Sequence, residues 1–193
     1  MKIRTHLGNA LPWLAMLALA ACATGVPEFG KEEEPLKAVG YVDLDRYMGR
    51  WYLIANIPNF AERGNIAPYV EYSRRRDGYI DDKYTALEAF GGKPFTKDGL
   101  IEITNPMTGA EGRITFLEPL WEDYAVIFLD PDYRYTVVGL QNRNYVWFFA
   151  REPRLGNAVY QAMIEVARDN GFDVTRILRF PRESADVGVP GYQ

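Results

Sequence analysis

The sequence is short of the two side chains on which much enzyme chemistry depends: its 193 residues hold one histidine, His6, and one cysteine, Cys22. A lone cysteine cannot close a disulfide within the chain. Both residues fall in the first 22. The segment MKIRTHLGNALPWLAMLALAAC begins basic at Lys2 and Arg4, runs apolar from Leu11 to Ala21, and ends in small residues before Cys22. This is the pattern of a secretory signal, too short and wrongly flanked for a membrane-spanning helix. Its removal leaves no histidine, which excludes Ser–His, Cys–His and haem–His schemes. Zinc sites without His or Cys are uncommon, so neither a metal nor a cofactor is expected. Basic charge is short as well. Without residues 1–21 the chain keeps 20 basic side chains against 26 acidic ones, a formal charge of −6. Nucleic acid is therefore a poor partner, since phosphate binding needs clustered basic charge. No segment repeats at a fixed period, which argues against a propeller or solenoid.

What is present begins with Leu19-Ala20-Ala21-Cys22, which resembles the box that precedes the lipidated cysteine of bacterial lipoproteins. Cys22 is then the lipid attachment site. Ala23 after it, rather than aspartate, implies export to the outer membrane in such lipoproteins. Residues 22–40, with Pro27, Pro35 and the acidic run Glu32 to Glu34, show no periodicity and read as a flexible tether. The seventeen residues from Ala23 to Val39 reach roughly 50 Å when extended.

Residues 41–181 form the expected folded unit. Eight runs rich in Val, Ile, Tyr and Phe come first: Trp51–Asn56, Tyr69–Arg75, Tyr79–Ala89, Leu100–Thr104, Arg113–Leu117, Tyr124–Leu129, Tyr135–Leu140 and Tyr145–Arg151. Turn residues such as Asp77-Gly78 and Asp130-Pro131 separate them. Leu155, Val159, Ala162, Met163, Val166 and Ala167 then fall at helical spacing, Gly171 ends the helix, and a ninth strand covers Val174–Phe180. Residues 182–193 read as a disordered tail. The order predicts an all-β fold: an eight-stranded antiparallel up-and-down β-barrel with one C-terminal α-helix packed outside and a ninth short strand. Pattern alone leaves an open β-sandwich as the alternative.

An up-and-down barrel fixes which end each connection occupies. With Gly49 and Trp51 at the bottom of the first strand, the Asp130–Arg134 turn and Arg151 arrive at the same end. Trp51 then plugs the taper and Arg151 lies over its indole. The basic triplet Arg74-Arg75-Arg76 falls at that end too and reads as solvated surface. Phe60, Phe90, Phe95, Leu120 and Trp121 collect at the opposite end, as a ring around a mouth. Side chains alternate along a strand, so Leu53 and Ala55 share the inward phase of Trp51, while Tyr52 and Ile54 face out. The phase of Arg151 places Phe149, Trp147 and Tyr145 on the inner wall. Tyr124, Val126 and Phe128 are candidates from the sixth strand.

On these residues the chain resembles the lipocalins. The run Gly49-x-Trp51-Tyr52 matches the family's first signature, Asp130-Pro131-Asp132-Tyr133-Arg134 stands in place of the second, and Arg151 in place of the third. Phe60, Glu62-Arg63-Gly64 and Tyr72-Ser73 are similar to bacterial outer-membrane lipocalins and their apolipoprotein D-like relatives, as are YAVIFLDPDYR, YVWFFAREP and GFDV. The resemblance implies a non-enzymatic carrier of a fatty acid or lysophospholipid for storage, transport or salvage, anchored on the periplasmic face of the outer membrane. Leu53 stands where relatives often carry an acid, which predicts a more apolar interior. Two other classes stay open: a tethered envelope module with a solidly packed barrel, and a lipid-modifying enzyme. For the latter the paired carboxylates are poorly placed, Asp81-Asp82 on what reads as an exposed strand, Asp130 and Asp132 in a structural turn. Monomer and homodimer both remain open.

Overall fold

A computed structural model describes residues 34–193; Cys22, the leader and the first part of the expected tether lie outside the described residues. The chain enters through a one-turn helix, α1 (Leu44–Tyr47). Asp43 caps it, its Oδ1 accepting from the backbone N–H groups of Asp45 and Arg46. Eight strands follow: β1 (Gly49–Asn56), β2 (Ile66–Arg74), β3 (Ile80–Leu87), β4 (Pro94–Ile103), β5 (Glu111–Leu117), β6 (Leu120–Leu129), β7 (Tyr135–Leu140) and β8 (Val146–Ala150). Each pairs antiparallel with the next, β1 pairs with both β2 and β8, and the sheet closes on itself. Closure rules out the open sandwich. A short β9 (Leu178–Arg179) adds to the far end of β1 at Ala55 and Asn56.

Helix α2 (Asn157–Asp169) buries Tyr160, Met163, Ile164 and Ala167. That stripe shares Met163 and Ala167 with the expected face but leaves Ala162 exposed. It belongs to an outer apolar layer with Ala125, Ile127, Val137 and Phe148, residues that point away from the barrel interior. Gly171 ends the helix at φ +83°. Phe172 then turns in against Gly139 of β7, where an added Cβ would lie 2.4 Å from its ring.

Three expectations about extent need correction. β4 begins at Pro94, six residues before the apolar run that announced it. Its first half pairs fully with β3 but is largely exposed, so no apolar alternation marks it. The tether is shorter than residues 22–40. Leu36 is buried, its N–H donates to Gln141 Oε1 (2.9 Å), and the Val39 N–H donates to the Val126 carbonyl (2.8 Å). Residues 182–193 are not a loose tail. Arg182 donates to the carbonyls of Leu53 (2.6 Å) and Pro68 (3.2 Å), and the Gln193 amide donates to Asn56 Oδ1 (2.8 Å). Polar and backbone bonds hold these segments, and such bonds leave no hydrophobic period in a sequence.

Candidate functional site

The barrel is closed at one end and hollow above. Trp51 is fully buried at the closed end, its indole N–H bonded to the Tyr47 carbonyl (2.8 Å). The Arg151 guanidinium lies 3.8 Å from the centre of the indole and donates to the carbonyls of Arg46, Tyr47, Met48 and Arg50. Gly49, at φ +88°, carries the entering chain past Arg151 Nη1, which an added Cβ would meet at 3.7 Å. Asp130 accepts two bonds from Arg134 at 2.9 Å each, and that charged partner holds its carboxyl down at about 2. The turn it braces presents the Tyr133 hydroxyl to the Asp43 N–H (2.8 Å), tying α1 to the closed end. Tyr52 faces out, against Tyr69 and Arg182. Arg74 and Arg75 pair with surface carboxylates, Asp45, Asp77 and Asp81.

Above this plug lies a cavity of about 670 Å³. Leu53, Tyr124, Tyr145, Trp147 and Phe149 line it, with Val70, Tyr72, Ile101, Val126 and Val138 from the other strands. The barrel is therefore not packed solid. Ala55 and Phe128 are not on the wall. In β1, Leu53 pairs with Phe149 and Ala55 with the adjacent Phe148, so Ile54 is an extra residue. In β6, Val126 pairs with Val138 and Phe128 with Val137, so Ile127 is extra. Each bulge reverses the phase beyond it. Ala55 consequently joins the outer layer under α2, and Phe128 stacks outside on Tyr135 with ring centres 5.9 Å apart.

The mouth is partly the expected one. Phe60 is 96 % exposed at its edge, and Leu117 and Leu120 are 68 % and 66 % exposed beside it. Trp121 borders the cavity, but its indole is engaged by Arg113 (4.8 Å) and Tyr79 (6.3 Å). Phe95 does not border it; its ring packs on Tyr84 with Lys97 above. Phe90 does not border it either, and stands on the β3–β4 connection.

The sequence reading did not place Glu62 and Asp82 in the cavity, yet both border it. Glu62, in the β1–β2 loop, accepts from the indole N–H of Trp147 (3.0 Å) and from the amides of Asn56 and Asn59 (2.7 Å each). Desolvation raises its pKa, with the indole bond opposing. Asp82, expected on an exposed strand, is only 3 % exposed and turns inward from β3 with Ile80, Tyr84 and Ala86. Its Oδ1 is buried and meets no hydrogen-bond donor. Burial, and then the charge of Glu62, pushes its carboxyl up to about 8. Alternation within Ile80-Asp81-Asp82-Lys83-Tyr84 could have placed it, since Asp82 shares the phase of two apolar neighbours. Among the described residues no group of three or more His, Cys, Asp or Glu side chains is placed to hold a metal ion.

Known proteins match this chain both in sequence and in fold. A model of the lipocalin-like domain matches residues 42–182. The chain is a lipocalin. It is 31 % identical over 164 residues to the outer membrane lipoprotein Blc of Escherichia coli, covering 85 % of this chain and 90 % of that one. It is 26 % identical over 146 residues to mouse apolipoprotein D, covering 70 % and 74 % respectively. Among solved structures, insecticyanin from the tobacco hornworm superposes with a TM-score of 0.60 at 16 % identity, over 78 % of this chain and 86 % of that one. At that identity the likeness concerns the fold alone. Within this lipocalin Gly49, Trp51, Asp130, Tyr133, Arg134 and Arg151 build the closed end, and other residues line the cavity.

Proposed function

We propose that this lipocalin is a lipid-anchored carrier of the bacterial outer membrane, facing the periplasm, which holds a single-chain lipid of the fatty acid or lysophospholipid class for storage, transport or salvage. The observation that carries the reading is the cavity: about 670 Å³, walled mainly by aromatic and aliphatic side chains, and edged by exposed Phe60, Leu117 and Leu120. Each methylene moved from water to such a wall stabilises the complex by about 0.8 kcal/mol, so an acyl chain binds without polar contacts. The relatives named as outer membrane lipoproteins and the Leu19–Cys22 box support the anchor at Cys22. Two or more acyl groups there hold a domain far more firmly than one. The reading involves no reaction: Glu62 is tied up by three donors, and Asp82 Oδ1 meets no hydrogen-bond partner.

The purified protein should take up a fluorescent fatty acid or lysophospholipid at one saturable site, with quenching of Trp147 emission, and should release a co-purified lipid to mass spectrometry. Absence of both binding and co-purified lipid sinks the carrier reading.

A further inference from the structure

The cavity is apolar in its walls but not neutral in its charges. Three carboxyl groups border it, Glu62, Asp82 and Glu122, against one cation, Lys97. Lys97 is exposed, and its ammonium rests on the carbonyl of Ala61 in the mouth loop (3.0 Å). Glu62 is satisfied by Trp147, Asn56 and Asn59. Asp82 alone is buried with an oxygen that meets no donor, and no described cation pairs with it. A buried polar atom left unpaired is destabilising, and more so when the group is charged. Opposite Asp82 on the ladder stands Gly99, over which the ring of Phe116 lies, 2.7 Å from where a Cβ would be.

We infer that this cavity receives its amphiphile ammonium end first, with the charged nitrogen donating to the Asp82 carboxylate. The inference rests on the carrier reading above and narrows it to amine-bearing ligands. An ammonium is a triple donor that supplies the missing bond together with a countercharge, so Asp82, which keeps its proton at pH 7 without it, releases that proton to solvent as the amine binds. Tyr47, Tyr72 and Tyr124, which line the same cavity as Asp82, add aromatic surface suited to a cation. An anionic head at the same depth finds no cation to pair with, since Lys97 is held in the mouth by the Ala61 carbonyl. A neutral hydroxyl leaves Asp82 protonated and gains only an uncharged hydrogen bond, about half as strong. With the amine innermost, the hydrocarbon runs toward the apolar mouth.

Three ligands of one chain length separate head from tail: dodecylamine, dodecanol and dodecanoate, titrated into the purified protein below their aggregation thresholds at pH 7, and then into Asp82→Asn and Asp82→Leu. The amine should bind about ten- to a hundredfold tighter than the alcohol, the range of a charge-assisted bond. Both variants should bring the amine to within about threefold of the alcohol. Dodecanol affinity should be kept in Asp82→Asn, whose amide still meets the hydroxyl, and lowered in Asp82→Leu by the loss of one uncharged hydrogen bond. Thermal melting should show each variant folded. Equal binding of amine and alcohol, tighter binding of dodecanoate, or an amine preference that survives in the variants overturns the inference and leaves the carrier reading standing. If none of the three ligands binds the unmutated protein, this inference falls, and the fatty acid and lysophospholipid titration above decides the carrier reading.

Discussion

Asp82 shows how one residue can set a property of the whole domain. A carboxyl that ordinarily titrates near 4 is pushed up to about 8 by burial, so the folded chain holds this proton more tightly than the unfolded one. The site's contribution to stability is full below about pH 4 and is lost as pH rises through 8. Glu62, raised in the same direction, reinforces that slope. The groups coupled to Asp82 are Glu62 from the β1–β2 loop, Tyr47 from α1, Tyr72 from β2 and Tyr124 from β6. The tyrosines stay neutral over this range because burial raises their pKa. Asp82→Asn should therefore flatten the dependence of melting temperature on pH between 4 and 8, and should melt higher than the unmutated protein at pH 8. Circular dichroism melts across that range check it, and a variant that melts lower at pH 8 would contradict it. Asp130 has the opposite sign: Arg134 holds its carboxyl down at about 2, so its contribution is present above pH 4 and lost as pH falls through 2.

At the scale of elements, what the sequence made legible depended on the kind of contact each segment makes. The eight strands, the outer helix and the plug of Trp51 under Arg151 were readable because apolar alternation, helical spacing and parity all follow from the chain's own period. The wall positions Ala55 and Phe128 were misread because one extra residue, Ile54 or Ile127, leaves no mark in composition yet reverses every side chain beyond it. The C-terminal segment was misread because bonds from Arg182 and Gln193 to backbone and amide groups hold it. Truncation after Pro181 tests that packing. It leaves the carbonyls of Leu53 and Pro68 without their Arg182 partner, and should lower unfolding stability by roughly 2–4 kcal/mol in urea titration. The junction of β7 with the end of α2 gives a second test. Gly139→Ala sets a methyl 2.4 Å from the Phe172 ring, and should cost about 1–3 kcal/mol unless the ring is cut back in a Gly139→Ala, Phe172→Leu double variant.

For the whole molecule, stability and access to the cavity lie at opposite ends of one barrel. The closed end concentrates the buried tryptophan, the four carbonyls gathered by Arg151 and the Asp130–Arg134 turn. The open end exposes Phe60, Leu117 and Leu120, large apolar side chains that contribute little to the fold as they stand. Replacing exposed side chains usually changes stability by no more than about 0.5 kcal/mol, whereas full burial of a Phe or Leu side chain in another phase stabilises by about 1.5–3 kcal/mol. A Phe60→Ser, Leu120→Ser double variant should thus melt within a few degrees of the parent, yet partition more weakly onto phospholipid vesicles and load ligand from them more slowly. Sedimentation with vesicles measures the first effect and stopped-flow transfer of a fluorescent amphiphile the second. Unchanged partition and loading would mean that the apolar edge never meets the membrane, and that the lipid anchor alone brings the barrel to its ligand.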